Sequence, residues 1–266
     1  MMPAFLRSRP VAAMLAVAAV AALPLLGSGQ RPALAAGDGF SDAQRAQIEA
    51  IIKDYLVKNP EILMDVQKAL DQKMETARNE AMSKALSANS QSLYKDAAAP
   101  MGGNAKGNVT VVEFFDYNCG YCRKAIDDVT KLIDSDKNVR VVFKDFPIFG
   151  KDSEGAARVA IASKLQGKYF ELHKALLTHE GKNTEEAALE LAKGLGLDVA
   201  KLKKDMASPD VQKELDANHA LAEKLGIQGT PHFFIGDKII PGAPEDLYAE
   251  LTGLVGDVRK NGCKVC

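Results

Sequence analysis

Val109-Thr-Val-Val-Glu-Phe-Phe-Asp-Tyr-Asn-Cys-Gly-Tyr-Cys122 decides the fold of this chain. Val109 to Phe115 is β-branched and aromatic apart from Glu113, the composition of a buried strand. Cys119 follows at a strand-to-helix turn, and the helix it opens is expected to run to about Ser135. Val139-Arg-Val-Val-Phe143 reads as a second strand. Strand, helix and strand at this spacing make a βαβ unit.

A cysteine at the start of a helix meets unpaired backbone N–H groups and the positive end of the helix dipole, which stabilise its thiolate. Cys119 is therefore the expected nucleophile. Cys122, one turn on, faces the same sulfur and can attack a mixed disulfide formed by Cys119, releasing the substrate. An inert structural disulfide or half of a zinc site would use the same spacing, but the strand–turn–helix context favours redox work. Glu113 stands among apolar strand residues, where its carboxyl should be partly buried. From there it can relay the proton that Cys122 loses. Lys144 ends the neighbouring strand and is expected to face Glu113, and a plain strand-edge salt bridge is the simpler use of that pair. Thr230-Pro231 precedes a later strand, where a proline that cannot donate to the ladder suits a cis bond in a tight entry turn.

Moving outward, residues 153–225 read as helical throughout: Ala156 to Leu165, Tyr169 to Leu177, Thr184 to Leu195, Val199 to Met206 and Val211 to Leu225. Strands return at His232 to Ile235 and Lys238 to Ile240 across a Gly236-Asp237 turn, and a last helix covers about Glu245 to Val258. Toward the amino terminus, Ser41 with Gln44 forms a capping box, and Ile48, Ile51, Ile52, Tyr55 and Leu56 recur at helical spacing. Asn59-Pro60 starts a second helix that meets no Gly or Pro before Leu93. At ~1.5 Å per residue it would be a rod of about 50 Å. Leu63, Leu70 and Ala77 repeat by sevens, as do Met74, Ala81 and Ala88, so a thin apolar seam asks for a partner helix. The simpler use is a helix lying on its own domain. Lys95 to Gly107, rich in Ala and Gly, reads as a linker.

The chain opens like a secretory signal. Arg7 and Arg9 precede the apolar stretch Val11 to Leu26, and Ala33-Leu34-Ala35 offers small residues for cleavage near Ala35. Pro24 and Gly27 leave that stretch short of the ~20 residues of a membrane span. The full chain has 34 basic and 35 acidic residues, and removal of residues 1–35 takes three Arg and no acid, leaving a formal charge of −4. That balance argues against a nucleic-acid partner. The expected domains are a signal at 1–35, a helical oligomerisation region at 36–94 and a linker at 95–107. A catalytic domain at 108–260 with a helical insertion at about 152–225 follows, then a Cys-containing tail at 261–266.

Phe114 to Cys122, together with Gly229-Thr230-Pro231-His232-Phe233-Phe234, resembles the DsbA-like branch of the thioredoxin superfamily. The helical block between Asp152 and Leu225 matches that branch's insertion. Tyr55-Leu-Val-Lys-Asn-Pro-Glu-Ile-Leu63 is similar to the amino-terminal extension of ScsC-type members, some of which trimerise through it. The resemblance implies an α/β thioredoxin-like fold behind an α-helical oligomerisation stalk. It also implies that Cys119 attacks, Cys122 resolves, Pro231 is the cis-proline, Thr230 contacts substrate backbone, and Glu113 and Lys144 form a buried charged pair. No cofactor beyond a redox-active Cys119–Cys122 disulfide is implied.

The oxidase DsbA carries Pro-His between its cysteines, and this chain carries Gly-Tyr, so its centre should be less oxidising than the ~−120 mV of DsbA. Gly-Tyr with Thr before the proline is similar to the DsbC-type isomerases. The expected function is thus a periplasmic disulfide isomerase, with a dithiol oxidase as the alternative. Its expected partners are exported proteins with thiols or disulfides, a membrane redox partner that resets the centre, and copies of itself, a trimer being favoured. Cys263 and Cys266 have no family counterpart. A tail disulfide is the plain reading, a terminal redox relay or soft-metal site the sharper one. A zinc site joining all four cysteines, or a copper-binding module, would be a different class of protein. His173, His179 and His219 read as ordinary helix residues, while His232, next to Pro231, is placed to tune the thiolate.

Overall fold

The computed structural model describes residues 39–266. The expected signal at 1–35 lies outside the described residues. The chain divides into two units between Asp65 and Val66. In the first, α1 (Asp42–Lys58) opens on the capping box: the Gln44 N–H donates to Ser41 Oγ, and Gln44 Oε1 accepts from the Ser41 N–H at 2.8 Å. No residue of α1 is buried, and Ile51, Ile52, Tyr55 and Val57 are exposed. The long helix α2 (Glu61–Tyr94) begins in this unit as one uninterrupted run of 34 residues. Among the described residues no helix is long and apolar enough to cross a membrane.

The second unit is built on a five-stranded sheet. Its strands are β1 (Met101–Gly103), β2 (Val109–Phe115), β3 (Val139–Asp145), β4 (His232–Ile235) and β5 (Lys238–Pro241), in spatial order β1-β3-β2-β4-β5. β2 and β3 are parallel, joined through α3 (Gly120–Ser135), and the remaining pairs are antiparallel. Between β3 and β4 come α4 (Lys151–Ser163), α5 (Tyr169–Thr178), α6 (Glu185–Gly194), α7 (Val199–Asp205) and α8 (Pro209–Lys224). The chain closes on α9 (Leu247–Asn261). This is a thioredoxin-like sheet with a helical insertion.

The two-residue period of a strand sorts the side chains of β2 between two cores. Val109, Val111 and Phe115 join Ile126 and Val129 of α3, Leu251 and Val255 of α9 and the inserted helices in a first core. Val112 and Phe114 join Leu221 and Ala222 of α8, Leu225 just after it, and Leu86, Leu93 and Tyr94 of α2 in a second. Phe114 is fully buried and meets Phe146 and Phe234 edge-on at 6.3 and 5.9 Å. Truncating such a side chain to Ala costs about 3–5 kcal/mol.

The stretch Lys95 to Gly107 differs from the linker its composition suggests. β1 lies within it, paired to β3 in the register Met101↔Val142. Arg140 of β3 donates to the Tyr94 carbonyl at the end of α2, Lys164 Nζ to the Ala98 carbonyl at 2.9 Å, and the Phe143 N–H to the Pro100 carbonyl at 2.9 Å. Small residues permit this close docking as readily as they permit flexibility, so composition alone does not separate the two.

Candidate active site

The parallel pairing of β2 with β3 brings the chain to the head of α3, where Cys119 occupies the N-cap. Cys119 keeps a sliver of exposure, 4%, while Cys122 in the first turn has none. Both are free thiols. The Cys119 thiol donates to the Thr230 carbonyl at 3.1 Å, and the Thr230–Pro231 peptide is cis.

The two thiols differ sharply in acidity. A hydrogen bond from the Cys122 thiol, helped by the Thr230 side chain and the N–H groups of Cys122 and Tyr121, outweighs burial and lowers Cys119 to about 5. Most of it is thiolate at neutral pH. Burial, together with Cys119 and the Glu113 carboxyl, pushes Cys122 far up. Glu113 is itself buried, its Oε2 has no hydrogen-bond partner, and burial plus the Cys119 charge raise it to about 8. One acidic thiol, one suppressed thiol and one carboxyl titrating close to neutrality thus share a site.

Lys144 does not face Glu113. In the observed register Glu113 stands beside Phe143, and Lys144 beside Phe114. The period of two therefore sends the two charges to opposite faces of the sheet. Lys144 is buried in an ion pair with Asp96 at 2.8 Å. His232 is likewise on the far face: it pairs with Phe114, and its ring lies 5.1 Å from that of Phe234.

A family model for the DSBA-like thioredoxin domain matches residues 110–247. The chain belongs to that family. A second model, the copper resistance protein ScsC N-terminal domain, matches residues 44–77. Proteus mirabilis ScsC, as a linker-deletion mutant, superimposes with a TM-score of 0.64 at 30% identity, covering 85% of this chain and 99% of that one. A thioredoxin-like oxidoreductase from Silicibacter pomeroyi gives a TM-score of 0.61 at 46% identity, over 64% of this chain and 97% of the other. A probable disulfide bond formation protein D from Bacillus cereus is 32% identical over 165 residues, 56% of this chain and 71% of that protein. The first curated relatives matched are Na(+)/H(+) antiporters NhaA of Salinispora, and this chain spans only 25% of the length of the one from Salinispora arenicola, at 30% identity over 161 residues.

In this member of the DSBA-like family the active-site turn is braced by residues that the sequence does not single out. Asp116 is buried, and its carboxylate accepts from the Asn118 N–H at 2.7 Å, Ser153 Oγ at 2.8 Å, and the N–H groups of Ile148 and Phe149. Asn118 donates to Ser153 Oγ and to the Asn183 carbonyl, and Asn183 Nδ2 returns to the Tyr117 carbonyl at 2.8 Å. Arg123 donates to the carbonyls of Tyr117, His179 and Gly181. Asp and Asn are turn formers, so Asp116-Tyr117-Asn118 directly before Cys119 carried a local signal. Ser153 and Asn183 arrive from the insertion and carried none.

Cys263 and Cys266 are joined in a disulfide. Val265 and Cys263 pack on the second core, so the tail is partly buried rather than free in solvent. With these two thiols bonded to each other, the four-cysteine site is not assembled.

Proposed function

We propose that this chain is a periplasmic thiol–disulfide oxidoreductase whose principal activity is disulfide isomerisation. The observation that carries the thiol chemistry is the asymmetry at the head of α3, Cys119 lowered to about 5 and Cys122 held protonated. Cys119 thiolate attacks a substrate disulfide, one substrate sulfur leaves as thiolate, and a mixed disulfide forms. In the isomerase cycle another substrate thiolate then displaces Cys119. If none arrives, Cys122 attacks Cys119 Sγ, the substrate leaves, and Cys119–Cys122 forms. Cys122 must first lose its proton, and Glu113 is the group proposed to receive it. In the mixed disulfide Cys119 carries no charge, so one of the two causes that raise Glu113 is gone. The carboxyl is therefore most ready to ionise at the step that needs a base.

Isomerisation rather than plain oxidation is supported by Gly120-Tyr121 between the cysteines and Thr230 before the cis-proline. It is also supported by apolar side chains left uncovered on the amino-terminal helices: Ile51, Ile52, Tyr55 and Leu63 in the first unit, Val66, Leu70 and Met74 in the second. We take these as the contact face of a homo-oligomer, a trimer being favoured, in which several centres share one client. An oligomer buries a seam that a lone chain exposes. The match of residues 44–77 to the ScsC amino-terminal domain supports the same reading. Dithiol oxidation is the second reading. It is favoured by the acidity of Cys119, since stabilising the thiolate stabilises the reduced form and makes the centre more oxidising.

The test is refolding of a scrambled-disulfide substrate and oxidation of a reduced one, each with the full chain and with a chain lacking residues 36–80, which keeps the buried Leu86 and Leu93 in place, alongside mass in solution. The expected result is loss of oligomer and of isomerisation on truncation, with oxidation retained. A monomeric full chain, or full isomerisation by the truncated one, would discard the oligomeric isomerase in favour of the oxidase.

A further inference from the structure

The helix that carries both thiols has no cap of its own. Cys119 occupies the N-cap of α3 and makes no side-chain capping bond, where Ser, Thr, Asp or Asn would ordinarily fix the helix start. The start of α3 is fixed from outside instead. Asp116 is 2% exposed, and its carbonyl accepts from the Cys119 N–H at 3.1 Å. Its Oδ1 accepts from the Asn118 N–H and Ser153 Oγ, its Oδ2 from the N–H groups of Ile148 and Phe149. Three of these four donors are backbone N–H groups, which cannot accept in return, so the place suits a group that only accepts. Ser153 lies in the first turn of α4 and Asn183 just before α6, and both are buried. Asn118, directly before Cys119, donates to Ser153 Oγ at 3.0 Å and accepts from the Asn183 N–H at 2.8 Å.

We propose that Asp116 is a positioning residue for thiol–disulfide exchange: with Ser153 it ties the turn before Cys119 to the inserted helices and to the loop after β3, and so holds the sulfur against the N–H groups at the head of α3. The inference rests on the role given to Cys119 above. The Cys122 thiol, Thr230 and the N–H groups of Cys122 and Tyr121 lower Cys119 to about 5, and each of these bonds weakens steeply as the sulfur moves. A relaxed turn therefore leaves a less acidic thiol. The charge of Asp116 acts the other way, because a carboxylate close to a thiolate disfavours it. Position and charge thus predict opposite signs. The titratable groups facing the Cys119 sulfur are Cys122 of α3 and Glu113 of β2, and the substitutions below touch neither.

Alkylation of the reduced full chain by iodoacetamide is followed against pH, and the midpoint of the Cys119 rate is read. Asp116→Asn keeps the shape and puts an amide NH2 in place of one oxygen. That NH2 meets one backbone N–H on the Asn118 side or two on the Ile148 and Phe149 side, so at least one tie is lost. The midpoint should rise by roughly one unit. A less stable thiolate withdraws stabilisation from the reduced centre. Its balance with a glutathione buffer at pH 7 should therefore move roughly 10-fold toward the Cys119–Cys122 disulfide. Ser153→Ala removes one tie, leaves every charge in place, and should move both readouts the same way by less. Lys144→Met, on the far face of the sheet, should leave the midpoint where it is. An equal rise there would mark the shift as a general loss of stability and overturn the inference. A midpoint unmoved in Asp116→Asn also overturns it, and a lowered one does so by assigning Asp116 to charge alone. If Asp116→Asn does not fold, Ser153→Ala decides by the same sign. A wild-type midpoint near ~8.5, the free-thiol value, overturns the reading of Cys119 and this inference with it.

Discussion

Residues 119–122 and 263–266 have the same Cys-x-x-Cys spacing, and the fold treats them in opposite ways. The first pair stands at the N-cap of a 16-residue helix, beside a cis-proline peptide and a buried carboxyl, as two free thiols. The second follows the last helix, after Gly262, and is closed as a disulfide against the second core. Spacing lets two sulfurs meet. Chemistry is set by what surrounds them: helix-end N–H groups and a neighbouring thiol lower one sulfur, and burial raises the other. Such a difference in environment is open to experiment at several levels.

The largest effect is expected at the first pair. Cys119→Ala should abolish reduction, oxidation and isomerisation, because Cys122 is buried and stays protonated. Cys122→Ala should keep the attack and accumulate mixed disulfides, visible as added mass on the intact protein. Alkylation sharpens the contrast. Cys119 should react with a midpoint near pH 5, since only the thiolate is nucleophilic, while Cys122 should stay unmodified at neutral pH. Equal rates at the two positions would remove the asymmetry on which the assignment rests.

A smaller loss is expected when the surroundings change and the sulfurs do not. Glu113→Gln keeps shape and removes the proton acceptor, so resolution of the mixed disulfide should slow by roughly 10²-fold. Attack by Cys119 should change far less, because its acidity owes most to Cys122 and Thr230. If resolution proceeds at the wild-type rate, the Glu113 carboxyl belongs to the architecture alone.

Most of the fold was legible because its signals are local. The β-branched run 109–115, the helix opening at Cys119, the strands after Pro231 and the uninterrupted α2 each follow from period and punctuation in neighbouring residues. What was not legible depends on register. Whether Lys144 faces Glu113 turns on a one-residue offset between parallel strands, and no local pattern of β3 encodes its offset from β2. The same holds for Asp145, which the offset carries to the Glu113 face, and for β1, whose three residues lack any strand signature. The brace around Asp116 joins segments up to 66 residues apart, and only its turn-forming half could be seen from sequence.

Lys144 therefore gives a prediction with the opposite pattern. Lys144→Met should leave resolution unchanged, since the ammonium points to Asp96 on the far face of the sheet. It should destabilise the protein by about 1–2 kcal/mol, because Asp96 loses its charge-assisted partner but remains a third exposed to water. Chemical denaturation beside a stopped-flow assay of resolution separates the two readouts. A large fall in resolution would return Lys144 to the thiol centre and contradict the observed register.

The mildest effect on chemistry is expected at the second pair. Val265 is the only tail residue after Gly262 that is buried, and it lies inside the loop closed by the Cys263–Cys266 bond and packs on the core holding Phe234 and Tyr94. The Tyr94 hydroxyl donates to the Gly236 carbonyl at 2.5 Å. Gly236 sits in the β4–β5 turn with φ of 63°, and a side chain there would approach the Cys263 sulfur at 3.4 Å. That turn is at the opposite end of β4 from Pro231, because β4 runs antiparallel to β2. The tail disulfide is thus separated from Cys119 by the length of the strand, too far for direct exchange within one chain. Opening so short a loop costs about 2 kcal/mol on the chain-entropy account. Replacing both tail cysteines by Ser should lower the unfolding midpoint by a few degrees and leave attack, resolution and isomerisation at wild-type rates. A tenfold drop in turnover with a protein-thiol reductant, at unchanged stability, would instead make the tail a working redox couple and erase the contrast between the two pairs.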